Sequence, residues 1–136
     1  MDTKKTILIV DDSEFVRSYH SYILEQAQFH VITAVDGSDG LEKLYTNTCD
    51  LVLTDINMSH MDGYEFIRRV RADPKYSAVP IIIVSTESEG KDKMKGFLAG
   101  ANLYIAKPSS PETMVENVRL VIDMPRADGE SQTNAV

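Results

Sequence analysis

Five short apolar runs, at residues 7–10, 31–35, 51–54, 81–84 and 103–106, punctuate the chain, each unbroken rather than alternating with polar residues. A strand with one wet face alternates, so an unbroken run marks a strand buried on both faces. Between the runs, apolar residues fall at helical spacing: Val16, Tyr19 and Ile23; Leu41, Leu44 and Tyr45; Tyr64, Ile67 and Val70; Met94, Phe97 and Leu98; Met114, Val118, Val121 and Ile122. The last group follows Pro111, a residue suited to the first turn of a helix. Strand then helix, five times over, predicts an α/β fold. Right-handed crossovers lay each helix against the sheet it connects, giving a doubly wound five-stranded parallel sheet with helices on both faces.

A chain of 136 residues is long enough for one proper core and too short for two ordinary domains. Residues 1–124 are read as that domain, and residues 125–136, polar and without periodicity, as a flexible tail. Fourteen Lys plus Arg against 21 Asp plus Glu leave a formal charge of -7. A surface of that sign repels phosphate backbones, so nucleic acid is not an expected partner. No apolar stretch approaches the roughly 20 residues of a membrane helix, and no signal peptide is evident, so no membrane insertion and a cytoplasmic location are expected. The single cysteine, Cys49, reads as a small buried hydrophobe beside the third run.

In open parallel sheets, ligands gather beyond the carboxyl ends of the strands. The first predicted strand ends at Asp11-Asp12, the third at Asp55, the fourth at Ser85-Thr86 and the fifth at Lys107-Pro108. Taken singly, each has an ordinary explanation. Asp11 and Asp12 suit a turn or cap ahead of Ser13 and Glu14, Asp55 a strand-end Asx turn, and Lys107 an exposed lysine. Acids, hydroxyl and lysine at four separate strand ends form a far narrower filter. Three converging carboxylates repel one another, and either titrate abnormally or hold a cation. A hard Mg²⁺ ion, which takes oxygen ligands and keeps several waters, is the simpler solution, with Asp12 and Asp55 as ligands. His20, His30 and His60 do not form a metal spacing and receive no role, and residues 87–93 read as a solvated loop.

The segments Ile9-Val10-Asp11-Asp12-Ser13, Thr54-Asp55-Ile56-Asn57-Met58, Met61-Asp62-Gly63, Val84-Ser85 and Ala106-Lys107-Pro108 resemble the motifs of response-regulator receiver domains. The likeness to this CheY-like family of two-component signal transduction covers residues 5–124. The resemblance implies a flavodoxin-like sheet of strand order 2-1-3-4-5 and a phosphorylation switch. Asp55 would accept a phosphoryl group from a sensor histidine kinase or a histidine phosphotransfer protein. Asp11, Asp12, Asp55 and the backbone carbonyl of Asn57 would hold Mg²⁺, Ser85 and Lys107 would attend the phosphoryl group, and Ser85 with Tyr104 would form the switch. Tyr104 also fits a plainer reading, a half-buried aromatic with its hydroxyl in water.

The resemblance further implies a single-domain response regulator rather than an enzyme, with only self-catalysed phosphotransfer and autodephosphorylation. It would signal to a protein partner that the sequence does not identify, through the fourth helix, fifth strand and fifth helix. One rival is a Mg²⁺-dependent phosphohydrolase with an Asp nucleophile, which would want an acid/base Asp where Asn57 stands and an insertion for substrate choice. The other is a receiver-like binding module not regulated by phosphorylation, which would be expected to have lost acceptor or acidic residues that are present here. Ser59 stands where the family usually has proline, Thr86 where Ala or Gly is common, and Ser109-Ser110 where a large apolar residue follows.

Overall fold

The computed structural model of the protein describes residues 4–124; residues 1–3 and the expected tail at 125–136 lie outside the described residues. Strands and helices alternate without exception: β1 (Thr6–Val10), α1 (Glu14–Gln26), β2 (His30–Ala34), α2 (Gly37–Thr46), β3 (Leu51–Thr54), α3 (Gly63–Ala72), β4 (Ile81–Ser85), α4 (Gly90–Ala99), β5 (Leu103–Ala106) and α5 (Pro111–Ile122). Every strand pair is parallel and the order is β2-β1-β3-β4-β5, as expected. The order reverses at β1, so a crevice opens beyond the carboxyl ends of β1 and β3. In register there, Val10 faces Thr54, which places Asp11 beside Asp55.

The unbroken runs are explained by two cores, one on each face of the sheet. Leu8, Val10, Val52, Ile81 and Ile83 pack with Leu44 of α2 and with Phe66, Ile67 and Val70 of α3. The alternate residues Ile7, Ile9, Leu51, Leu53 and Ile82 pack with Leu24 of α1 and with Met114 and Val118 of α5. Cys49 is buried beside the first of these cores. Helix entries are set by side chains that accept from backbone amides in the first turn: Ser13 from Val16, Asp36 from Asp39, Asp62 from Glu65 and Ser110 from Thr113. Each such cap stabilises its helix by about 1 kcal/mol.

At the amino ends of β4 and β5, Arg71 from α3 acts as a staple. Its guanidinium donates to the carbonyls of Gly100, Ser77 and Val79 and to Asn102 Oδ1, at 2.9, 3.1, 2.6 and 2.9 Å. Asn102 Oδ1 also accepts from the Ile81 amide at 2.8 Å.

Three expectations need correcting. The second run was assigned to residues 31–35, but β2 spans His30–Ala34 and Val35 is exposed, because β2 is an edge strand with only partial cover. Residues 87–93 are not all loop: α4 begins at Gly90, and the Glu89 amide donates to Asp92 Oδ2 at 3.2 Å to start it. Met94, Phe97 and Leu98 do not face the sheet; they are exposed, and the inward positions of α4 are Gly96 and Ala99.

Candidate functional site

The turn after β1 holds Asp11 by every group it has to offer. Its amide donates to the Ala34 carbonyl at 3.1 Å, and its own carbonyl accepts from Arg17 Nη1 at 2.8 Å. Oδ1 accepts from the Ser13 amide at 2.9 Å, and Oδ2 accepts from Lys107 Nζ at 3.0 Å. Asp11 is buried, while Asp12 beside it is exposed.

Asp55 continues β3. Its amide donates to the Val10 carbonyl at 3.0 Å, Oδ1 accepts from the Ile56 amide at 2.7 Å, and Oδ2 lies 3.6 Å from Lys107 Nζ. The start of α3 rests directly on this backbone. A Cβ on Gly63 would stand 2.1 Å from the Asp55 carbonyl oxygen, so no side chain fits there without lifting α3 away from the site. That close approach is the physical reason for a glycine in the Met61-Asp62-Gly63 segment.

Lys107 thus stands between two carboxylates, and its own amide donates to the Ser85 carbonyl at 2.7 Å. One oxygen each of Asp11, Asp12 and Asp55 lie within 4.8 Å of one another. Burial pushes the Asp55 carboxyl above the usual carboxylate range, opposed by the Lys107 ammonium and the Ile56 amide and reinforced by the charge of Asp11. Three carboxylates sharing one lysine leave negative charge uncompensated on hard oxygen donors, which is the donor chemistry a divalent ion such as Mg²⁺ takes.

The remaining expected residues sit one step back. Ser85 is fully buried and its Oγ accepts from the Glu87 amide at 3.1 Å, whereas Thr86 is exposed. Tyr104 is half-buried, and its hydroxyl donates to the Glu87 carbonyl at the solvent-exposed rim. Asn57 Nδ2 donates to Glu87 Oε1 at 3.1 Å. Asp11, Asp12, Asp55 and Lys107 therefore meet directly, Ser85 joins them through the Lys107 amide, and Asn57 and Tyr104 converge with Ser85 on Glu87.

Arg17, Glu87 and His20 also matter here, outside the expected acid, hydroxyl and lysine set. Arg17 fixes the Asp11 carbonyl, and its place one turn after nothing more distinctive than a capped helix start offered no sign of this. Glu87 ties the loop after β4 to the loop after β3, a contact that depends on loop conformation. His20 is buried on the inner face of α1, its imidazole pushed down to about 4 by burial first and by the Lys107 cation second, with Asp11 opposing.

The model of the family described as response regulator receiver domain matches residues 7–119. Protein PilH of Pseudomonas aeruginosa is 35% identical over 116 residues, covering 85% of this chain and 96% of PilH. Chemotaxis protein CheY1 of Helicobacter pylori is 35% identical over 118 residues, covering 85% of this chain and 95% of that protein. The solved structure of chemotaxis protein CheY4 of Vibrio cholerae superposes with a TM-score of 0.84 at 34% identity, covering 88% of this chain and 99% of that one. The chain spans only 13%, 47% and 48% of the length of other, longer curated relatives that it matches. The family match takes in the strand ends that bring Asp11, Asp12, Asp55 and Lys107 together, and the chain belongs to the family of response regulator receiver domains, the signalling modules of two-component systems.

Proposed function

We propose that the protein is a phosphorylation switch whose acceptor is Asp55, charged from a phosphohistidine on a sensor histidine kinase or histidine phosphotransfer protein. The observation that carries this reading is Lys107 Nζ, 3.0 Å from Asp11 Oδ2 and 3.6 Å from Asp55 Oδ2, where β1, β3 and β5 end. An electron pair of the Asp55 carboxylate forms the new O–P bond as the P–N bond to the donor imidazole breaks, and the electrons of that bond stay on the imidazole nitrogen. Such a transfer needs positioning and charge neutralisation far more than covalent help. Asp11, Asp12 and Asp55, with the Asn57 carbonyl, would hold Mg²⁺, which when bound neutralises charge on the phosphoryl oxygens. Arg17 and the Ser13 amide keep Asp11 in place, and Asp11 in turn keeps the Lys107 ammonium aimed at the acceptor.

Once phosphate charge sits on Asp55, the Ser85 hydroxyl turns to donate to a phosphoryl oxygen. That rotation releases the Glu87 amide, and with it the loop that Asn57 and Tyr104 now hold. Signal therefore leaves through the loop after β4 and the α4 and β5 region to a protein partner. Slow hydrolysis of the aspartyl phosphate, catalysed by the domain itself, resets the switch. No helix among the described residues is long and apolar enough to cross a membrane, and a cytoplasmic location fits a partner of a histidine kinase. The rival phosphohydrolase reading is weakened by Asn57, an amide tethered to Glu87 where that chemistry wants an acid.

The test is labelling with acetyl phosphate and Mg²⁺. Wild type takes up acid-labile phosphate and Asp55→Asn takes up none; undiminished labelling of the variant would sink the assignment.

A further inference from the structure

α4 packs in the opposite sense to its neighbours. Its buried residues are Gly96 and Ala99, while Met94, Phe97 and Leu98 are 59%, 46% and 79% exposed. α3, of equal length, buries Tyr64, Phe66, Ile67 and Val70. No large side chain of α4 interlocks with the sheet, and sideways the helix is tied to α3 by Tyr64, whose hydroxyl donates to the Asp92 carbonyl at 3.3 Å and whose ring centroid lies 4.6 Å from Lys95 Nζ. Its contact with the sheet at Gly96 is backbone against side chain. A Cβ on Gly96 would stand 2.6 Å from Ile83 Cδ1, 3.3 Å from Tyr104 Cδ2 and 3.5 Å from Tyr104 Cε2.

Glycine is an unfavourable residue for a helix interior, so its presence where α4 passes over Ile83 and the Tyr104 ring has a packing cause. Gly90, at the start of the same helix, would meet nothing within 4 Å. The far end of the ring is held as well. Its hydroxyl donates to the Glu87 carbonyl, and the Glu87 amide donates to Ser85 Oγ. Ser85, Glu87, Tyr104 and Gly96 therefore form an unbroken series of contacts from the site to α4.

We propose that Gly96 is the positioning residue that couples Tyr104 to α4: the ring lies against the space a side chain at 96 would fill, so a change in ring position shifts the helix. The inference rests on the phosphorylation switch proposed above. A Cβ at 96 would hold the helix off the ring, whereas a bare backbone lies against it and passes its displacement on. The helix then carries Met94, Phe97 and Leu98 with it, so a small movement inside alters a large apolar surface outside.

The experiment loads wild type, Gly96→Ala and Gly90→Ala with beryllofluoride and Mg²⁺. Fluorine NMR reads occupancy at Asp55, and amide shifts at residues 94–98 read the response of α4. Wild type and Gly90→Ala are expected to load and to shift α4 alike, whereas Gly96→Ala loads equally and loses the α4 shift. The double variant Ile83→Val with Gly96→Ala removes the methyl met at 2.6 Å, relieves the clash with β4 and stays uncoupled, because the ring contact is still obstructed. Equal α4 shifts in Gly96→Ala and Gly90→Ala overturn the coupling. Unmodified protein supplies an independent reading: the nuclear Overhauser contact between the Gly96 α-protons and the Tyr104 ring should persist on loading while α4 amides move. Loss of that contact while α4 amides still move overturns the proposal without any substitution. Failure of wild type to load brings down the acceptor reading itself, a result distinct from loading without coupling.

Discussion

Replacing Asp55 by Asn is expected to stabilise the fold when divalent cations are absent, even though it removes the proposed acceptor. Oxygens of Asp11 and Asp12 lie within 4.8 Å of an Asp55 oxygen, and Lys107 Nζ lies 3.6 Å from Oδ2. With an effective dielectric constant near 20, each like-charge pair at that distance costs about 3.5 kcal/mol and the lysine pair returns about 4.6 kcal/mol. Solvent screens the repulsion from exposed Asp12, so the lysine about offsets the two carboxylates, and what remains against ionised Asp55, on the order of 2 kcal/mol, is set by its desolvation. That burial is also the leading reason its carboxyl titrates high. A carboxyl with a raised folded pKa contributes stability that is full below the ordinary value of about 3.9 and lost as pH rises through the folded value. The advantage of Asn is therefore absent in acid and reaches about 2 kcal/mol at neutral pH, or about 7 °C in melting temperature for a chain of this size. Urea denaturation followed by circular dichroism in EDTA, at neutral pH and in acid, measures it. Added Mg²⁺ should raise wild type more than the variant and close the gap. A variant less stable than wild type in EDTA at neutral pH would refute the electrostatic account.

Ser85→Ala is expected to take up phosphate from acetyl phosphate yet to show a weaker shift of amides 103–107 on beryllofluoride loading; a shift equal to wild type excludes the Ser85 hydroxyl from the switch. His20 is held at about 4 against an ordinary 6.5, so the unfolded chain binds its proton first as pH falls. Stability should drop by about 3 kcal/mol between those two values, and His20→Leu should flatten the slope in urea titrations; an unchanged slope assigns it to other groups. Arg71→Met removes the donor to three carbonyls and to Asn102. A loss of about 3 kcal/mol is expected from the acceptors left unpaired, seen as a lower urea midpoint with labelling at Asp55 intact, and an unmoved midpoint counts against the staple.

The strands were legible because a parallel sheet covered on both faces leaves no polar position in its centre, and the acid cluster because such a sheet delivers all its strand ends to one edge. Ile7 to Val10 shows both effects, since every residue there is buried and Asp11 follows directly. The orientation of α4 was not legible. Met94, Phe97 and Leu98 have helical spacing whichever way they face, and the true inward positions are Gly96 and Ala99, which carry almost no hydrophobic signal. Tyr19 and Tyr45 misled in the same way, lying exposed while His20 and Leu24 turn inward on α1. The links from Arg17 to Asp11 and from Asn57 to Glu87 were beyond reach for a different reason. Each joins a polar side chain to a partner chosen by loop conformation, and a residue type alone does not encode that choice.

Arg71 has a consequence for how α4 can move. The carbonyl of Gly100, one residue past the end of the helix, is gripped by Arg71 Nε, and Asn102 just beyond it is bound by both Arg71 and the Ile81 amide. The opposite end of α4 is held by the Tyr64 hydroxyl, which donates to the Asp92 carbonyl at 3.3 Å, and by the loop of residues 86–89, whose ties are the same bonds that respond to the acceptor. A rod about 15 Å long, pinned at Gly100 and pushed close to that pin at Gly96, behaves as a lever with its fulcrum at Gly100. Displacement is greatest around Lys91 and Met94 and dies away by Ala99, so a protein gripping the first turn of the helix would feel an amplified stroke, whereas one resting on Leu98 would feel mostly a change of tilt.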